Sequence, residues 1–83
     1  MELTLFTTET CHNCPPIKEF LENYKNQHQN IKINFINAGQ PQGLDIAREK
    51  RVSRVPTLII NDTDKEIARF HTLEEAEEYL TKF

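Results

Sequence analysis

The chain holds two cysteines, and both fall in one tetrapeptide, Cys11-His12-Asn13-Cys14. Only about 2% of random placements in a chain of this length would set two cysteines three apart. Thiols at that spacing support three readings: a redox dithiol that cycles through an intramolecular disulfide, half of a metal site, or two incidental thiols. A closed zinc site needs four ligands. Cys11 and Cys14 supply two, His12 is too close in sequence to complete a tetrahedron easily, and the sequence has no second C-x-x-C and no H-x-x-x-H. A soft-metal carrier holding Cu(I), or a metal shared between two chains, could manage with these two thiolates. Metal transfer is therefore the alternative to the redox reading, and the surrounding elements must weigh between them.

Before the motif, Leu3, Leu5 and Phe6 among threonines read as a short β-strand. After it, Pro15 and Pro16 precede Ile17, Phe20, Leu21 and Tyr24, an apolar stripe at i, i+3, i+4 and i+7 that predicts a helix of about three turns. Asn26 to Asn30 is a polar break. Ile31, Ile33 and Phe35 then alternate with polar residues in a second strand that ends near Ala38. The stretch from Gly39 to Gly43 reads as a turn or loop. Leu44 to Val52 reads as a short helix, with Leu44, Ala47 and Arg51 on one face. Val55 to Ile60 reads as a buried strand, Asn61 to Lys65 as a turn, and Glu66 to Phe70 as the partner of a hairpin. Thr72 with Glu75 fits a capping box, opening a last helix whose stripe is Leu73, Ala76, Leu80 and Phe83.

The expected order is β-α-β-α-β-β-α, an α/β class with a central four-stranded mixed sheet flanked by helices. Two β-α-β units are expected to pair in parallel, with an antiparallel hairpin added at the end. An 83-residue chain buries roughly 64% of its extended surface, enough for one modest core. Residues 1–83 therefore read as a single domain.

This order puts the C-x-x-C after the first strand and at the start of the first helix. A helix N-terminus carries backbone N–H groups without acceptors and about half a positive charge, so a thiolate there is stabilised against its thiol. Cys11, at the turn, is the candidate nucleophile. Cys14, one turn further in and more buried, is the candidate resolving thiol that attacks the mixed disulfide. His12 and Asn13 are the candidates for tuning. His12 would give a hydrogen bond or positive charge to the Cys11 thiolate, the plainer alternative being a solvated histidine. Asn13 has the weaker claim, its side chain being expected to face solvent. Pro15 suits a helix start, while Pro16 is expected to distort the first turn.

Cys11-x-x-Cys14 after a strand, Val55-Pro56-Thr57 before another, and this element order resemble the thioredoxin-like superfamily. Within it the chain is most similar to the small glutaredoxin-sized redoxins, over nearly its whole length. The resemblance implies a thioredoxin-like fold and thiol–disulfide oxidoreductase activity. It also implies that Pro56 is cis and faces the dithiol, and that Val55 offers its backbone to the substrate. Arg54 would border that groove and steer acidic partners or a glutathione carboxylate; its plainer reading is a solvated basic face shared with Arg48, Lys50 and Arg51. The departures are specific. Thr10 stands where thioredoxins have Trp, the chain has no Trp, and Leu5 occupies the place of their buried acid. Glutaredoxins carry a Gly-Gly pair where this chain reads Arg69-Phe70-His71-Thr72-Leu73. Pro56-Thr57, by contrast, is the pairing common in thioredoxins. The expected electron donor is therefore a reductase like thioredoxin reductase, with glutathione kept as an alternative and no cofactor beyond the Cys11–Cys14 disulfide. His28 and His71 have no spacing that suggests a ligand.

Ten Lys+Arg against thirteen Asp+Glu leave a net charge of −3, which argues against nucleic-acid wrapping. No run of about 18 apolar residues is long enough to cross a bilayer. The start of the chain lacks the basic and apolar stretches of a signal peptide. A monomeric cytoplasmic protein with disulfide-containing protein substrates is the expectation.

Overall fold

In the computed structural model, which describes residues 2–9, 11–12, 14–28, 30–63 and 65–81, the elements alternate in the expected order. They are β1 (Glu2–Thr7), α1 (Cys14–Gln27), β2 (Lys32–Asn37), α2 (Pro41–Glu49), β3 (Thr57–Asp62), β4 (Lys65–Phe70) and α3 (Leu73–Leu80). The four strands form one mixed sheet in the order β2-β1-β3-β4. Asn13 and Phe83, assigned roles from sequence, lie outside the described residues.

β1 lies at the centre, so it is apolar on both faces. Leu3 and Leu5 join Ile33 of β2, Leu58 and Ile60 of β3, Ile17, Leu21 and Tyr24 of α1, and Ala76 and Leu80 of α3 in the main core. Phe6 points the other way and packs with Ala47 of α2 and Ile59 of β3. The alternation follows from the period of two along a strand, and the consecutive apolar pairs Leu5-Phe6 and Leu58-Ile59 from burial on both sides.

β3 runs opposite to the direction read from sequence. β1 and β2 are parallel, with Leu3 opposite Ile33, but β1 and β3 are antiparallel, with Phe6 opposite Thr57. A parallel return would have required the second connection to carry the chain back along the length of a strand. The nine residues of α2 rise only about 13 Å, against about 20 Å for the six of β2. The chain instead re-enters the sheet at the end where β1 and β2 finish. That reversal sets the start of β3, with Pro56 before it, at the sheet edge from which β1 leads to Cys11.

Other boundaries shift for local reasons. α2 begins at Pro41, inside the stretch read as a loop, with Pro at the start of the helix where its missing N–H costs nothing. Its buried residues are Gly43 and Ala47, while Leu44 is exposed and Arg51 lies beyond its end. Gly43 is needed because a Cβ there would run into the backbone carbonyl of Asn37. α2 closes with Arg51 at φ 58°; the Arg51 N–H donates to Arg48 O at 3.1 Å and the Val52 N–H to Ala47 O at 2.7 Å. This is a Schellman ending with arginine where glycine is usual. β3 starts two residues later than expected and includes Asn61 and Asp62, and its pairing with β4 shifts register between Ile60 and Asn61.

Candidate active site

β1 carries the chain to the sheet edge, and a tight turn in which the Cys11 N–H donates to Thr8 O at 3.2 Å follows. Cys14 is the first residue of α1. Pro15 and Pro16 take its second and third positions, where helical N–H groups have no intrahelical acceptor in any case. The distortion expected from Pro16 is thus not required. Cys11 and Cys14 are joined in a disulfide with Cα atoms 5.4 Å apart, inside the range that bridged cysteines adopt. The pair is unequal: Cys14 is 4% exposed, whereas Cys11 is only half-buried. The disulfide thus sits at the start of α1, where the positive end of the helix dipole lies. His12 is exposed between them.

Two hollows flank this turn. One, of about 450 Å³, is lined by both cysteines, Glu9, Lys18 and Phe35, among others. Phe35 is among the alternating apolar residues of β2, yet it is 40% exposed, because β2 is an edge strand. The Lys18 ammonium sits 5.7 Å from its ring centroid, a cation–π contact on the wall of the hollow. Glu9 and Lys18 are its charged lining residues. Among the described residues no acid stands in the core beneath: Leu5 is wholly buried, and the buried polar side chain is Thr57.

The other hollow, of about 300 Å³, is bounded by Pro56, by Pro16 and Ile17 of α1, and by His71, Leu73 and Glu74. Pro56 is buried and its peptide bond to Val55 is cis. The segment before β3 is fixed by one hydroxyl: Thr57 Oγ1 donates to Arg54 O at 2.6 Å and contacts His71 Nδ1 at 3.1 Å. Val55 is half-buried against the small core beneath α2. The Arg54 side chain is exposed, and Arg54 and Val55 share a third concavity with Thr8, Val52 and Leu44. Arg48, Lys50 and Arg51 are exposed as well. Their backbone is held from β4, where the Arg69 guanidinium donates to Lys50 O at 2.7 Å and Arg51 O at 3.1 Å.

Of the residues singled out from sequence, the structure joins Cys11 with Cys14 and sets Pro56 beside the first turn of α1. It brings in three that sequence spacing did not find. Lys18 follows Cys14 by one helical turn, a signal that was present. Phe35 and His71 reach the site through β2 and the β4–α3 connection, which no local pattern reveals. Among the described residues no three His, Cys, Asp or Glu side chains gather into a metal-sized group, and no helix is long and apolar enough to cross a membrane.

A family described as thioredoxin domain matches residues 1–81. Thioredoxin 1 from Thermosipho africanus superposes with a TM-score of 0.79 at 26% identity, over 99% of this chain and 97% of that one. Thioredoxin O2 from Arabidopsis thaliana, in its oxidised state, gives 0.88 at 15% identity, over 99% and 73%. The thioredoxin of Fasciola hepatica gives 0.84 at 19%, over 98% and 78%. No match was found among curated proteins.

Proposed function

This chain belongs to the thioredoxin domain family, and on that premise we propose that it is a thioredoxin-type protein-disulfide reductase of the cytoplasm, recharged by a reductase like thioredoxin reductase. One observation carries the proposal: a disulfide joins a half-buried Cys11 to a buried Cys14 at the first residue of a helix. That inequality supports Cys11 as the attacking thiol and Cys14 as the resolving one. In the reduced protein the Cys11 thiolate attacks one sulfur of a substrate disulfide. A Cys11–substrate disulfide forms, and the substrate's own S–S bond breaks to release one thiolate. Cys14 then gives its proton to solvent through the hollow it lines, since Leu5 supplies no acid. Its thiolate attacks the Cys11 sulfur and expels the second substrate thiolate, which takes up a proton. Two electrons pass to the substrate, and the protein is left with the Cys11–Cys14 disulfide.

Pro56 forms one wall of the substrate groove, and Val55 pairs its backbone with the substrate strand. Arg54 draws acidic segments to that side, and His12 and Asn13 set the balance between dithiol and disulfide. The segment from Arg69 to Leu73 contains no glycine, which supports a reductase over glutathione as the donor.

Single serine variants test the assignment. Cys11→Ser is expected to abolish reduction of a protein disulfide. Cys14→Ser is expected to accumulate a mixed disulfide visible by intact mass. Repeated turnover by Cys14→Ser would contradict its role as the resolving thiol.

A further inference from the structure

The contact between Thr57 and His71 fixes the state of the imidazole. A hydroxyl has one proton, and that of Thr57 goes to Arg54 O at 2.6 Å. Towards His71 Nδ1, 3.1 Å away, Thr57 Oγ1 therefore acts as acceptor, and Nδ1 carries the proton. In the neutral ring Nε2 is then the acceptor. Thr57 is 1% exposed, so this latch is shielded from water, while the ring itself is half-buried and walls the groove that Pro56 borders.

The charges around the ring have one sign. On α3, Glu74 lines the same groove, and Glu75 is turned to the Thr72 hydroxyl. Pro56 and Thr57 on β3, and Pro16 and Ile17 on α1, carry no charge. On β4, Arg69 is paired with Glu66 at 2.9 Å. Across the site, Arg54 lines a separate concavity. The groove is thus acceptor-rich on its α3 wall, and its one charged lining residue among those described is Glu74.

We propose that His71, held by Thr57, is a specificity-determining residue that accepts, together with Glu74, a cationic donor group of the substrate peptide, an Arg or Lys flanking the reducible cysteine. It rests on the oxidoreductase reading above. Protonation of the ring turns Nε2 into a donor and adds a positive charge to the wall, so the preference for cationic substrates weakens in acid. In oxidised substrate the flank thus chooses the orientation in which the disulfide meets Cys11.

The test is a ratio. Two synthetic disulfide peptides, identical except for Arg or Glu on both flanks of the reducible cysteine, are reduced by the full chain at about pH 7.5 and about pH 5.5, the span over which histidines titrate. The kcat/KM ratio cancels the pH dependence of the thiols, which both peptides share. The Arg peptide is expected to be favoured about three- to fivefold at the higher pH, the size of an exposed charge pair, and clearly less at the lower. His71→Asn keeps an amide donor for Thr57 but lacks Nε2, and is expected to make the ratio independent of pH. Glu74→Gln, on an exposed residue that the fold tolerates, is expected to lower the ratio at pH 7.5 and to leave its pH dependence in place. A ratio near one at pH 7.5, or an undiminished pH dependence in His71→Asn, overturns the proposal. Failure of the wild-type chain to reduce either peptide overturns the oxidoreductase reading, and this inference falls with it.

Discussion

The two faces of the sheet are built differently. Beneath α1 and α3 the side chains of three strands and two helices close a continuous core from Leu3 to Leu80, and the Tyr24 hydroxyl donates to Leu80 O at 3.3 Å, joining the two helices. Beneath α2 the core is Phe6, Ala47 and Ile59, with partly buried neighbours such as Val52 and Val55. The first face anchors α1, and with it Cys14. The second supports the segment that carries Arg54, Val55 and Pro56. Most of the burial energy thus lies under the dithiol, while the proposed substrate-binding segment rests on a thin layer kept in place by close backbone approach and by Arg69.

Adjacent residues of β3 set the two faces against each other. Leu58 faces the large core and Ile59 the small one, and both are almost fully buried. Leu58→Ala is expected to cost about 4 kcal/mol and Ile59→Ala about 2–3 kcal/mol, because the thin face can collapse around the lost methyls. Urea unfolding of the two variants reads this, and equal costs would mean that the faces share the load.

Gly43→Ala loads the thin face from the α2 side. A helical position ordinarily gains about 1 kcal/mol from this exchange. Here the new Cβ would meet the Asn37 carbonyl, a backbone group that cannot swing aside. A net loss of about 1–2 kcal/mol is expected in thermal or urea unfolding, and a gain would show that α2 is free to lift. Arg51→Gly acts at the other end of the same helix. It relieves a left-handed backbone worth about 1–2 kcal/mol against about 0.5–1 kcal/mol of extra chain entropy lost on folding, leaving a net gain of up to about 1 kcal/mol in urea unfolding. The smallest effect lies on the thick face. Burial pushes the Tyr24 phenol above its ordinary value of 10.0. The folded state therefore holds that proton more tightly than the unfolded chain, so stability is intact below about pH 10 and declines as the pH rises through the folded value. Tyr24→Phe is expected to flatten that alkaline decline in urea midpoints, and an unchanged slope would place its origin elsewhere.

Much of this was legible in the sequence. The stripe Ile17-Phe20-Leu21-Tyr24 specified α1, the capping pair Thr72 and Glu75 marked α3, and the C-x-x-C drew attention to a helix start where thiolates are favoured. The direction of β3 was hidden, because alternating strands and helices read as parallel by default and no local residue marks the end at which the chain re-enters the sheet. Gly39 and Gly43 looked like loop punctuation, yet Gly43 serves the close approach of α2 to β2. Phe35 alternated correctly but sits on an edge where little covers it. His71 lies fourteen residues from Thr57, and their contact exists only once β3 and β4 have paired.

Whether Cys11 and Cys14 form a working redox pair is read out by a redox titration. The chain is equilibrated in graded thiol–disulfide buffers, free thiols are alkylated, and the intact mass is read. A single reversible two-electron transition is expected, lost in Cys11→Ser, with a midpoint near the thioredoxin value of about −270 mV. Two alkylated thiols at every poise, with no intramolecular disulfide, would contradict the account and make thiolate metal binding the leading reading of the motif.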